Sequence, residues 1–418
     1  MPRSVRGRRL VALACATALA LTLAACSADA SATVELPAQV DADLPADVQT
    51  QLQTAVERAV AGSGASGAVV GVWAPWSGTW VAGSGSLMPG GAAAGTTSSF
   101  KAGAVTRSMT CDVLYGLVAD DVVELDDPAS KYVASLASQT PVTLGQLCDS
   151  TSGIASYTPA LTDRFFKNPE RVWNPRELLS YGLAATGDTQ PGAAFADSDT
   201  GYVLLGIALE HASRRSAADL FQEYVFGPNG MTASSLPTRS VDLDLHGLWS
   251  PNAEDGSVAC AAPVDVTALS SSAGFTASGV VSDVADLGRY TQGLAMAKRP
   301  FDSEARWNDP LPAGADAPSW FTATGGAYQA GSLIGQYGSI PGYLTAAFAD
   351  RNTGMTIVVV LNNSRASDVL VRSLAWELAA IASKAPAASG QTTPDAGLPW
   401  TAEDMGAQVT ANAVCPIP

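Results

Sequence analysis

Runs of β-forming residues stand at both ends of this chain, and helical patterns fill the space between them. Near the start, GAVVGVWAP (67–75) and GTWVAGSG (78–85) meet around Pro75-Trp76-Ser77-Gly78 and read as a hairpin. Near the end, SLIGQYGSI (332–340), YLTAAFAD (343–350) and MTIVVVLNN (355–363) read as three successive antiparallel strands. The spacing then predicts a long helix over 368–383. Between these groups, Val48, Leu52, Val56 and Val60 form one apolar stripe and predict a helix over 46–61. Further helical patterns cover 110–125, ending in a turn at Asp126-Asp127-Pro128, then 200–213, and 217–226 closed by Gly227-Pro228. Strands at both ends with helices between imply an α+β chain: one antiparallel sheet built from both termini, flanked by helices, with a helical lobe inserted into it.

Composition narrows the function classes. Of 418 residues, 47% are apolar and 15% charged, which fits a packed globule and not a disordered chain. The net charge of −16, without a Lys/Arg cluster beyond the N-terminus, argues against nucleic acid as a partner. The two histidines, His211 and His246, are far apart and have no partner at ligand spacing, so neither a metal nor a cofactor is expected. His211 follows Glu210 late in a helical run and reads as a surface histidine near a helix C-terminus.

The N-terminus reads as an address. MPRSVRGRR carries four arginines, and LVALACATALALTLAA then runs apolar up to Cys26. The last four residues of that stretch, Leu23-Ala24-Ala25-Cys26, resemble a bacterial lipobox. The resemblance implies cleavage before Cys26, lipidation of its thiol, and a membrane anchor on the extracytoplasmic face. Removing 1–25 takes away four arginines and no acid, which moves the net charge from −16 to −20. Residues 26–45 then read as a tether, 46–384 as the folded domain, and 385–418, rich in Pro, Ala, Gly and Thr, as a surface tail. Export leaves Cys111, Cys148, Cys260 and Cys415 in an oxidising compartment, where two disulfides with three possible connectivities are expected.

No G-x-S-x-G elbow occurs. One S-x-x-K occurs at Ser98–Lys101, but it follows a loop and contains an aromatic, so it does not read as one turn of a helix. From Phe100 onward the chain resembles the serine β-lactamase and penicillin-binding-protein superfamily, in its class C β-lactamase, D-Ala-D-Ala carboxypeptidase and esterase branch. FKAGAVTRSMT (100–110) resembles F-x-x-x-S-x-T-K, and YGLVADDVVELDDPASKYV (115–133) resembles L-x-x-x-G-x-L-x-L-D-D-P-V-x-K-Y. VTLGQLCDSTSGI (142–154) is similar to I-T-L-x-x-L-L-x-H-T-S-G-L, and QPGAAFADSDTGYVLLG (190–206) to P-G-x-x-F-x-Y-S-N-x-G-Y-x-L-L-G. FGPNGMTASS (226–235) and GQYGSIPGY (335–343) resemble P-L-G-M-x-x-T and G-H-x-G-x-x-P-G-Y. The resemblance covers about residues 50–380 and implies a transpeptidase-like domain.

It also implies a site whose reactive groups have been replaced. The nucleophilic Ser falls on Ala104 and the Lys on Arg107, whose pKa above ~12 keeps it from acting as a base. The Tyr and Asn of Y-x-N fall on Asp197 and Asp199, and the His of H-x-G falls on Gln336. Scaffold positions remain, among them Gly192, Gly201, Tyr202, Gly338 and Gly342. A register moved by one turn would offer Ser108, but Cys111 then stands where Lys is needed.

The resemblance therefore implies a pocket of Ala104, Arg107, Ser198, Gln336, Tyr337, Gly338 and Ser339. In it Arg107 is expected to meet Asp197 or Asp199, and the Ala104 and Ser339 N–H groups to remain as paired donors. It also places the segment of Cys148 beside the helix of Cys111, and so implies a Cys111–Cys148 bridge and with it Cys260–Cys415. Two functions compete. One is a lipid-anchored pseudoenzyme holding a peptidoglycan stem peptide or an envelope protein, which sequence does not separate from a domain kept only for assembly. The other is an active envelope hydrolase with a non-standard nucleophile such as Ser98, Ser108 or Ser198.

Overall fold

The computed structural model describes residues 34–134, 136, 142–186 and 190–417. The chain opens with helix α1 (Ala46–Ser63), strands β1 (Gly67–Ala74), β2 (Gly78–Gly85) and β3 (Phe100–Lys101), and helix α2 (Val105–Ala119). The helical lobe holds α3 (Leu144–Cys148), α4 (Thr158–Lys167), α5 (Pro175–Ala185), α6 (Asp199–Ser213) and α7 (Ala217–Phe221). The chain returns through β4 (Leu248–Trp249), β5 (Val264–Asp265), α8 (Phe275–Ser278), β6 (Val281–Ser282) and α9 (Val284–Ala295). It closes with β7 (Leu311–Pro312), β8 (Phe321–Thr324), β9 (Ala327–Ala330), β10 (Leu333–Ile340), β11 (Tyr343–Asp350), β12 (Thr356–Leu361), α10 (Asp368–Ala382) and α11 (Ala402–Ala411).

One antiparallel sheet joins the termini in the order β2-β1-β12-β11-β10-β9-β8-β7. β1 lies between β2 and β12, with Val70 opposite both Ala82 and Val359. Both faces of the central strands are covered, so TIVVVL is apolar throughout instead of alternating. Val70, Val72, Ile357 and Val359 pack beneath α1 and α10, while Val69, Val358 and Val360 join the core shared with α2, α9 and the lobe. This is the serine β-lactamase/transpeptidase-like α+β fold that the resemblance implies.

Several boundaries differ from the sequence reading. α2 starts five residues before the expected 110 and ends at Ala119. The run 217–226 is one α-helical turn followed by a π-helical turn over Gln222–Phe226. The expected tail is a correction: 402–411 form α11, packed on α10 and α1, with Trp400 stacked on Trp376 at 4.9 Å. Its anchors Trp400, Met405 and Val409 are too sparse to stand out from a Pro/Gly-rich background. The second half of the expected tether is also packed. Val34 N–H donates to the Pro228 carbonyl at 3.0 Å, Val40 N–H to Pro75 at 3.2 Å, and Leu44 is buried. The signal segment and Cys26 lie outside the described residues. Both implied disulfides form, with Cα–Cα distances of 5.5 Å for Cys111–Cys148 and 5.8 Å for Cys260–Cys415.

Candidate active-site pocket

The pocket forms where the N-terminus of α2 meets β10. Gly103, at φ 55°, turns the chain from β3 into the helix, and Ala104 caps that helix at 1% exposure. Its methyl group faces Gly338 on β10, where an added Cβ would lie 2.6 Å from the Ala104 Cβ. Glycine is therefore required at 338 by the closeness of the helix. β9 pairs with β10 only through Leu333–Gly335, so the edge beyond is open. Tyr337 N–H on that edge donates to Gln336 Oε1 at 3.0 Å, and Ser339 N–H, two residues on, points the same way. Among the described residues no acceptor meets the Ala104 N–H.

One turn into α2, Arg107 donates from Nη1 to Asp197 and from Nη2 to Asp199 Oδ1 at 2.6 Å. Asp199 opens α6 and also accepts from Ser156 Oγ at 2.7 Å and Thr158 Oγ1 at 2.5 Å. The guanidinium lies 5.3 Å from the Tyr202 ring centroid, and its Nε is buried without a partner. Burial opposes the Arg107 charge, but the Asp197 and Asp199 carboxylates outweigh it and hold the pKa well above its ordinary value. Burial likewise pushes Asp199 upward, and Arg107 with the Thr158 and Ser156 hydroxyls brings it below the usual carboxylate range. Asp368, at the start of α10, reaches the same pocket, and there burial and then the neighbouring Asp197 raise its pKa.

The cavity measures about 140 Å³ and is walled by Tyr157, Thr158, Phe165, Ile340 and Ser278. Three carboxylates face one guanidinium. Of the pocket residues expected from sequence, Ala104, Arg107, Gly338 and Ser339 line it together with Asp197 and Asp199. Ser198, Gln336 and Tyr337 do not. The Ser198 hydroxyl caps α6 by accepting from Gly201 N–H at 3.1 Å, because the helix needs an acceptor there. Gln336 turns into a crevice on the other side of Asp197, where Nε2 donates to the Gly326 carbonyl at 3.3 Å. The Tyr337 hydroxyl accepts from Arg372 Nη1 at 3.0 Å within an aromatic cluster.

The other candidate nucleophiles lie outside the pocket. Ser98 Oγ accepts from Gly95 N–H at 3.2 Å, and Ser108 Oγ donates to the Gly326 carbonyl at 2.7 Å. Lys101 belongs to β3, not a helix, and its Nζ donates to the Leu269 carbonyl. His211 contacts the Tyr132 carbonyl and Arg176, and His246 contacts Asp265. No metal-ligating cluster occurs among the described residues. Sequence reasoning missed Thr158 altogether, and read Asp368 only as the start of a helix. It also missed a buried network in which Arg299 and Arg306 share Asp112, with Asp302 completing the charge balance.

An antiparallel sheet with an inserted helical lobe, and a pocket where the N-terminus of α2 meets an open strand edge, define a transpeptidase-like protein. The sequence model of the β-lactamase family matches residues 52–381, and the chain belongs to that family. It is 33% identical over 133 residues to the D-alanyl-D-alanine-carboxypeptidase/endopeptidase AmpH of Escherichia coli K12, a match covering 30% of this chain and 34% of that protein. A D-aminopeptidase of Cereibacter sphaeroides is 30% identical over 135 residues, covering 32% of this chain and 25% of the relative. These matches span 34% and 25% of the relatives' lengths. A D-stereospecific amidohydrolase from Streptomyces superposes with a TM-score of 0.66 at 24% identity, over 75% of this chain and 94% of that one.

Proposed function

We propose that this chain is a non-hydrolysing member of the β-lactamase family. It holds the free amino-terminal end of a D-amino-acid-containing peptide, such as a fragment released from a peptidoglycan stem peptide, at the cell envelope. The lipidated Cys26 anchors it on the extracytoplasmic face of the membrane. The observation that carries this reading is the content of the pocket: a methyl group at Ala104, and a guanidinium at Arg107 locked between Asp197 and Asp199. A methyl group cannot attack a carbonyl, and a guanidinium stays protonated at any physiological pH. In a serine protease, loss of the nucleophile alone lowers kcat by about 10⁶.

Two features support the ligand class. The Ala104 and Ser339 N–H groups can hold a carbonyl oxygen, because preorganised donors cost no rearrangement. The excess of carboxylates, with Asp197 and Asp368 beside these donors, suits an ammonium group next to that carbonyl. The names of two relatives, a D-aminopeptidase and a D-alanyl-D-alanine-carboxypeptidase/endopeptidase, point to peptides of the same chemistry.

The test has two arms. Intact-mass analysis after exposure to penicillin and to a fluorophosphonate is expected to find no adduct. A stoichiometric adduct on one serine overturns the non-hydrolysing reading. Calorimetry with D-Ala-D-Ala is expected to show reversible binding that N-acetylation of the dipeptide or Asp368→Asn abolishes. Absence of heat at millimolar dipeptide removes the ligand assignment. Loss of membrane association in Cys26→Ala tests the anchor.

A further inference from the structure

Behind the pocket, on the far side of the segment 272–278, the lobe contains a second cleft of about 490 Å³, within the size range of small-molecule sites. Ala273 and Ser278 line the first pocket, while Ser272 and Phe275 line the second. Phe165 of the first meets Trp173 of the second edge-on at 5.0 Å.

Three observations mark this cleft. Its walls are apolar, formed by Val172, Trp173, Leu236, Pro237 and Phe275, and Val172 stands 48% exposed beside it. Phe275 is held at φ 40°, a conformation unfavourable for a bulky residue, and there its ring forms a wall. The Trp173 Nε1–H is buried with no acceptor among the described residues.

Glu210 is the one ionisable side chain lining the cleft. Its Oε1 accepts from Ala217 N–H at 2.8 Å, and among the described residues no cation pairs with it. Burial raises its pKa, against the Ala217 N–H and the neighbouring His211, both of which lower it. Arg171 pairs with Glu177, Arg215 with Glu223, and Arg176 with His211. Asn174 caps α5, Ser216 caps α7, and Ser272 Oγ accepts from Trp173 N–H at 2.9 Å.

We infer that this cleft is a second ligand site, one that takes a small primary amine on an apolar body and pairs its ammonium with Glu210. The apolar body replaces water along Val172, Leu236 and Phe275. The ammonium supplies the counter-charge that the protein does not. The neutral alcohol of the same shape gains the first term and loses the second.

The probes are 2-phenylethylamine and 2-phenylethanol, titrated calorimetrically and by saturation-transfer NMR into the full mature chain. The amine is expected to bind about tenfold more tightly than the alcohol. Glu210→Gln should bring it to the alcohol's level, and Ala218→Trp should weaken both by filling the cleft. Asp368→Asn, in the first pocket, should leave amine binding unchanged. Equal affinities for the two probes, full amine binding in Glu210→Gln, loss of amine binding in Asp368→Asn, or no binding up to ~10 mM each overturns the inference. D-Ala-D-Ala titrated into the same variants reports separately on the first pocket.

Discussion

Arg107→Ala tests the energetics of the pocket. The substitution removes the counter-ion of two aspartates that differ in exposure: the Asp197 side chain is 44% accessible and that of Asp199 16%. Water takes over around Asp197, so that half of the pair is worth ~1 kcal/mol or less. Asp199 is stranded, and breaking a buried pair costs about 3–5 kcal/mol. It keeps the Ser156 and Thr158 hydroxyls and its place at the N-terminus of α6, which return part of that cost. A net loss of about 2–4 kcal/mol is expected, read from urea denaturation midpoints. The pH dependence identifies the cause. In the wild type the Asp199 pKa is depressed, so its contribution is present above the ordinary carboxylate pKa and is lost as pH falls through the folded value. In the variant burial is opposed only by the Ser156 and Thr158 hydroxyls and the pKa moves up from its wild-type position, so the destabilisation should be largest at neutral pH and shrink on acidification. Arg107→Lys should cost less, because a cation remains, and still weaken the fold, because one ammonium cannot serve both carboxylates bidentately. Asp199→Asn on the Arg107→Ala background should recover most of the loss. A cost under about 1 kcal/mol, or one independent of pH between neutrality and the acid limb, refutes this account.

Lys101 is fully buried against the Leu269 carbonyl, and burial pushes its pKa down from 10.5 to about 7. Because the unfolded chain keeps that proton to higher pH, this group makes stability rise with pH between about 7 and 10.5. Lys101→Met should therefore stabilise the protein by about 2–3 kcal/mol near neutrality, after subtracting a lost hydrogen bond, and by little in alkali; an equal gain at both ends removes the explanation. Opening Cys260–Cys415 by the pair Cys260→Ser and Cys415→Ser should cost about 2–4 kcal/mol and raise hydrogen exchange in α11 before the sheet. The double variant Ala104→Ser/Arg107→Lys should still turn over a chromogenic cephalosporin far more slowly than ~1 s⁻¹, since Asp197, Asp199 and Gln336 supply no proton relay. Turnover at that rate would show the pocket to be closer to an enzyme than its residues imply.

The sheet was legible because each of its long strands carries an unbroken or alternating apolar run, and the glycines at 338 and 342 sit inside recognisable motifs. The Arg107 cluster was legible for a different reason: three charged replacements fall at motif positions that share one pocket. Ser198, Gln336 and Tyr337 were misplaced because motif position does not say which way a side chain turns. A cap, a neighbouring carbonyl and an arginine each compete for these residues. Asp368 and Thr158 reach the pocket only through the docking of α10 and α4, which no local pattern encodes. The Asp112 network was invisible for the same reason, its arginines arriving from a loop remote in sequence. α11 was missed because sequence composition weighs every residue equally, whereas three well-placed apolar side chains suffice to dock a helix.

The strand order has a consequence for how the chain is made. β1 takes its partner β12 from far along the sequence, so Val70 cannot find Val359 until everything between them has emerged from the ribosome. Until then the β1–β2 hairpin presents an apolar, unpaired edge, the kind of template that invites association with other chains. The helical lobe, whose contacts are more local, can condense earlier, and closing the sheet carries the loop-closure entropy of everything between. A nascent chain of this protein thus spends most of its synthesis with its central sheet unfinished. Its C-terminal residues are what turn a collapsed intermediate into the native molecule.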